Sequence, residues 1–188
     1  LSVPIDGALA EALLTGLVTD TLCFRTSNTT PAVLAAATRL MEGGAQLATI
    51  TAQTLNSKPY RSLKLWGEVL PGAQLADRVL WVTVSPEQLA AAGAGGEDLE
   101  LSSTLSSIAE ADISATFMQK FDDGGAPVVE CSFRAKPGYT VSDVAFALGG
   151  GGHPPAAGCT VPGTLDAAVP AIVEQLQIAR AQQAAMIH

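Results

Sequence analysis

The sequence predicts an α/β protein whose first third is helical and whose remainder interleaves strands with helices. Two observations carry that prediction. Up to about residue 70 the apolar residues recur at spacings of three and four, the period of an amphipathic helix; after Pro71-Gly72 they alternate or run in short β-branched blocks, the period of a strand. Between two such blocks, Asp122-Asp123-Gly124-Gly125 is a hairpin signal, which calls for an antiparallel pair. The chain has 188 residues, 48% of them hydrophobic and 15% charged, enough apolar material for one ordinary domain or two small ones. The division is expected at Pro71-Gly72, giving regions 1–70 and 71–188.

Within the first region, Pro4 suits a helix start, and Ile5, Leu9, Leu13 and Leu17 recur at fours as a face turned to a core. Thr19-Asp20-Thr21 ends that helix. Thr30-Pro31 reads as N-cap and first position of a second helix, with Val33, Leu34, Ala37, Leu40 and Met41 on one face and Gly43-Gly44 at its end. A third helix spans Leu47 to Leu55, and Pro59 opens a fourth through Leu63, Trp66 and Leu70.

Val79 to Val84 reads as a buried strand, and Ser85 with Gln88 has capping-box spacing for a helix ending near Gly93. Leu99, Leu101, Leu105 and Ile108 suggest a helix, followed by the strand through Ile113, Ala115 and Phe117. Val129, Cys131 and Phe133 mark the strand returning from the hairpin. Val141, Val144, Ala145 and Leu148 give a helix closed by Gly149 to Gly152. A short strand near Cys159 to Val161 and a terminal helix from Thr164 through Ile178 complete the chain.

Acidic residues exceed basic ones, 18 to 10, for a net charge of −8, which argues against a polycationic grip on long nucleic acids. A short nucleotide in a local pocket is compatible with it. Cys23, Cys131 and Cys159 are widely spaced and odd in number, so reduced thiols and a cytoplasmic setting are expected. With His153 and His188 the only histidines, a zinc site has little raw material. No apolar run is long enough for a membrane span.

The richest stretch is Gly149-Gly150-Gly151-Gly152-His153-Pro154-Pro155-Ala156-Ala157-Gly158. Glycines free a backbone to turn successive N–H groups onto an anion, and an imidazole beside them can donate to a phosphate oxygen. No Lys-Ser/Thr follows, so a Walker-type nucleotide loop is excluded. A flexible loop with a surface histidine is the plain alternative. Arg134 and Lys136, at the end of the strand from Val128 to Phe133, could clamp the same anion, or simply be solvated. Asp20 reads as a cap or as an oxygen ligand for Mg²⁺ or Mn²⁺. Asp122, Asp123, Glu97, Asp98 and Glu100 cluster in turns, where solvated acids are the rule.

Taken together, Thr19-Asp20-Thr21 with Phe24-Arg25, Ser132-Phe133-Arg134, and the glycine-His-Pro-Pro-Ala-Ala-Gly run resemble the DHH phosphoesterase family, and within it the oligoribonuclease and pAp-phosphatase branch. The resemblance covers nearly the whole chain: 1–70 is similar to the helical tail of the DHH catalytic domain, 71–188 to the DHH-associated domain, subfamily one. It implies a mixed β-sheet flanked by helices. It also implies a metal-dependent hydrolase using Mn²⁺ or Mg²⁺ on short single-stranded oligonucleotides or nucleoside 3′,5′-bisphosphate, with two metals bridging nucleophile and leaving oxygen.

By that resemblance Asp20 is a metal ligand, while Arg134, Gly150, Gly151, Gly152 and His153 hold the substrate phosphate, with Arg25 facing the same substrate. The family's Asp-x-Asp and Asp-His-His motifs are absent from these 188 residues. The chain is therefore expected to be a carboxyl-terminal portion, lacking an N-terminal DHH domain and inactive alone, with room for a homodimer. Two further readings stay open: a non-catalytic nucleic-acid-binding module and a cyclic-dinucleotide phosphodiesterase.

Overall fold

A computed structural model describes residues 5–26, 28–55, 57–95 and 100–187. The expectations placed on Pro4, Gly96, Glu97, Asp98, Leu99 and His188 lie outside the described residues. The chain divides into two compact units, Leu1–Lys58 and Pro59–His188.

The first unit holds α1 (Gly7–Asp20), α2 (Pro31–Glu42) and α3 (Leu47–Thr54). Thr30 caps α2 as expected, its side chain accepting from the Val33 N–H at 3.3 Å. The core face of α1 differs from the sequence reading. Ala10, Leu14 and Val18 are buried against Ala37, Leu40, Ala45 and Ile50, whereas Ile5, Leu9 and Leu13 are exposed. α1 carries two apolar stripes at fours, and the one containing the small Ala10 admits Gly43, where an added Cβ would lie 3.3 Å from the Ala10 methyl and 2.5 Å from the Ile5 carbonyl. After α1, Leu22, Cys23 and Phe24 take positive φ, tied down by Thr21, whose hydroxyl accepts from Phe24 N at 2.9 Å and donates to Leu17 O at 2.6 Å.

The second unit begins at Pro59, twelve residues ahead of the expected boundary at Pro71-Gly72, and its first element is α4 (Tyr60–Val69). Leu65 and Val69 are buried with Leu80, Val82 and Leu89, so this helix belongs to the core of the sheet that follows; Leu63 is exposed. The remaining elements are β1 (Gln74–Ala76), β2 (Val79–Val84), α5 (Pro86–Ala92), α6 (Leu101–Ser106), β3 (Ile113–Phe121), β4 (Pro127–Ala135), α7 (Ser142–Ala147), β5 (Gly151–His153), β6 (Ala156–Pro162) and α8 (Leu165–Ile187). The six strands form one sheet in the order β1-β2-β3-β4-β6-β5. Only β2 and β3 run parallel, with α5 and α6 in the connection between them.

Alternation along the strands divides the side chains between two faces. Ile113, Ala115, Phe117, Cys131, Phe133, Ala157 and Cys159 join α7 and α8 residues in one core. On the opposite face, Leu80, Val82, Val84 and Met118 are covered by α4, α5 and α6. The apolar cover on that second face ends at β3. Among the described residues no helix is long and apolar enough to cross a membrane, and Cys23, Cys131 and Cys159 are unpaired thiols.

Candidate anion site on the uncovered half-sheet

Strand register assembles the site. Arg134 of β4 is opposite Ala156 of β6, and Ala156 is opposite His153 of β5. Residues directly opposite one another share a sheet face, so the Arg134 and His153 side chains start from one face with Ala156 between them. Two strand spacings put their Cα atoms roughly 10 Å apart, a gap their side chains can close around a phosphate. The next row on that face is Ser132, Gly158 and Gly151. The floor is therefore made of groups no larger than a hydroxymethyl, and small residues keep it open. The Arg134 row, by contrast, extends to Ser114 of β3, only 3% exposed, whose hydroxyl has no hydrogen-bond partner among the described residues. Ser114, Arg134, Lys136 and Asp112 line a common narrow crevice.

The charges explain why Arg134 differs from its neighbours. Asp112 takes two bonds of 2.8 Å from Arg78 and bonds of 2.9 and 2.7 Å from Arg180. The Arg78 guanidinium first, then Arg180 and Tyr139, hold the Asp112 carboxyl well below the usual carboxylate range against the opposing effect of burial. Lys120 pairs with Glu130 at 2.7 Å. Lys136, expected to share the clamp, instead donates to the carbonyls of Ile108 at 2.5 Å and Ala109 at 3.2 Å. Those carbonyls close the loop after α6, so the clamp loses one of its two cations. Arg134 donates from Nη1 to Phe133 O at 2.9 Å and makes no ion pair among the described residues.

The glycine run is not the row of converging amides expected from sequence. Gly149, at φ +80°, and Gly150 form a Schellman cap: Gly149 N donates to Phe146 O at 3.0 Å and Gly150 N to Ala145 O at 2.8 Å. The Gly150 N–H is thus committed to α7, while Gly151 and Gly152 continue as the edge strand β5. Close packing dictates the glycines. A Cβ on Gly150 would lie 2.1 Å from Gly158 O, and one on Gly152, at φ +138°, 2.5 Å from Ala157 Cα. Pro154 and Pro155 form the turn between β5 and β6, and their carbonyls accept from Val141 N and Ala135 N, both at 2.9 Å, which pins His153 to the end of β4.

Asp20 is the last residue of α1 and Arg25 is exposed in the turn beyond it; both belong to the first unit. Among the described residues no three of His, Cys, Asp and Glu gather closely enough to hold a metal ion. The donor set that a divalent cation needs is therefore not assembled by these residues. Cys131 and Cys159 are directly opposite in β4 and β6. The hydrogen bond to Cys159, with burial, pushes the Cys131 thiol up from its ordinary value. The sequence reading missed Ser114 and the part played by Ser132; counting back by twos from Arg134 places Ser132 on its face.

The second unit is thus a mixed α/β sheet whose β4, β6 and β5 bring an arginine, small residues and a histidine into adjoining rows. Residues 88–179 match the family model of the DHHA1 domain. The bifunctional oligoribonuclease and PAP phosphatase NrnA of Thermus thermophilus is 34% identical over 178 residues, 94% of this chain and 52% of that protein. An exopolyphosphatase-related protein from Bacteroides fragilis shares the fold, with a TM-score of 0.81 at 21% identity over 95% of this chain and 52% of its own. These likenesses support a C-terminal associated domain of the DHH family in this chain. The chain spans about half the length of the relatives it matches.

Proposed function

We propose that this chain is the substrate-recognition part of a DHH-family phosphoesterase acting on short single-stranded oligonucleotides or nucleoside 3′,5′-bisphosphates. The supporting observation is the row Arg134, Ala156, His153. A guanidinium offers paired donors to two oxygens of a terminal phosphate, and the imidazole, on the far side of the Ala156 methyl, donates to a third. Ser132 supplies a hydroxyl from the floor. Gly151 and Gly152 matter here by leaving the phosphate unobstructed, and their edge position leaves room for backbone donation.

Asp20 is proposed as a single carboxylate ligand to Mn²⁺ or Mg²⁺, and Arg25 as an accessory cation. When bound, such metals would activate water and stabilise the leaving oxygen. One carboxylate does not retain a metal, so the chain alone is expected to bind substrate without turning it over. The net charge of −8 favours short ligands over long polymers, whose binding grows with the phosphates neutralised.

Titration of a 5′-phosphorylated dinucleotide into the chain, Arg134→Ala and His153→Ala tests the proposal. Each substitution should weaken binding by roughly tenfold or more, the equivalent of a charge-assisted hydrogen bond. Equal affinity for all three proteins rejects it.

A further inference from the structure

Phe146 lies on α7, where its neighbours Val144 and Ala145 enter the core, yet it is itself 59% exposed. Its ring is not directed away from the molecule. Cε1 lies 3.3 Å from the point where a Cβ on Gly151 would stand, so the ring packs against β5 on the side that a Gly151 side chain would occupy. Gly151 and His153 are two apart on β5, paired with Gly158 and Ala156 of β6, with Cα atoms roughly 7 Å apart. An exposed aromatic ring therefore lies beside β5 two residues from His153, and the missing Gly151 side chain gives it room. Nothing in phosphate recognition uses this ring. From Gly151 to His153 is comparable with the reach from a phosphate across its ribose to the base.

We infer that Phe146 is the stacking platform for the nucleobase of the ligand whose phosphate is held by Arg134 and His153. This rests on the phosphate site proposed above and deepens it: the ligand is a nucleotide, recognised through the π-face of its base. Stacking on a ring with no hydrogen-bonding group accepts any base, so the site selects nucleotides over bare phosphate esters without choosing among bases. Gly151 also has a positioning role, because a methyl there would displace the ring by a few tenths of an ångström.

The test compares adenosine and uridine 3′,5′-bisphosphates with ribose 5-phosphate, by calorimetric titration of the whole chain. The proteins are wild type, Phe146→Ala, Phe146→Leu, Phe146→Tyr and His153→Ala. Phe146→Ala and Phe146→Leu should each weaken both nucleotides about tenfold and leave ribose 5-phosphate unchanged; Phe146→Tyr should bind like wild type. Unchanged nucleotide affinity in Phe146→Ala, full affinity in Phe146→Leu, or equal losses for nucleotide and sugar phosphate would each overturn the stacking role, even while His153→Ala still loses both ligands. If His153→Ala changes neither ligand, the phosphate site itself fails and the inference falls with it. Melting curves identical to wild type for the Phe146 variants, expected of an exposed side chain, exclude misfolding as the cause of any loss.

Discussion

At the scale of single residues, the second unit separates its cations by what surrounds them. Arg78 and Arg180 converge on Asp112, and Arg180 also lies over the Tyr139 ring at 5.8 Å. Arg134 stands in the sheet row that includes His153 and keeps its other donors for a ligand. Asp112→Asn should cost about 2 kcal/mol, between the values for an exposed and a fully buried pair, because the Arg78 side chain remains 48% exposed. The native carboxyl takes its proton well below the ordinary value of 3.8, so on acidification the unfolded chain is protonated first. This contribution to stability is complete above about pH 5 and is lost as the pH falls from about 4 through the lower native value. Urea midpoints at pH 7 and pH 3 should show a smaller difference between wild type and Asp112→Asn at the lower pH. Gly150 gives a second prediction at this scale. A methyl there meets the Gly158 carbonyl and the Cys159 backbone, none of which can swing aside, so Gly150→Ala should lower stability by roughly 1–3 kcal/mol in chemical denaturation.

At the scale of elements, the most legible features were those with short-range chemistry. Ser85 and Gln88 make the capping box that their spacing predicts, with bonds of 3.3 Å from Gln88 N to Ser85 Oγ and 2.9 Å from Ser85 N to Gln88 Oε1. Gly93 ends α5 at φ +66°. The Gln88 amide also donates to Glu68 O at 3.0 Å, tying α5 to α4. Gln88→Ala therefore removes a cap and a tether together, and should cost about 1–2 kcal/mol in thermal or urea unfolding.

β1 escaped the sequence reading because its turn, Asp77-Arg78, takes two positive φ values without a glycine. The bond from Asp112 N to Arg78 O, at 2.8 Å, and the ion pair help hold that turn in place. β5 was hidden for the opposite reason. Four glycines suggest freedom, whereas two serve as a helix cap and two lie against a neighbouring strand. The stripe on α1 was misread because periodicity alone does not rank two faces of equal pitch.

At the scale of the molecule, the second unit contains the sheet with an apolar core on each face, one built with α7 and α8 and one with α4 to α6. A chain of residues 59–188 should therefore fold cooperatively alone, giving a single sigmoidal urea transition; a non-cooperative melt would contradict its independence. The candidate residues Arg134 and His153 were legible as residue types. Their shared row was not, since it depends on β6 lying between β4 and β5, a consequence of strand order rather than of any local signal. The small floor likewise emerges only when Ser132, Ala156, Gly158 and Gly151 are aligned across three strands. A crystal structure of the chain with a nucleoside 3′,5′-bisphosphate tests the central claim most directly. The account predicts one phosphate over Ala156, its oxygens within about 3 Å of both the Arg134 guanidinium and the His153 imidazole. A phosphate bound elsewhere, with that half-face empty, would contradict it.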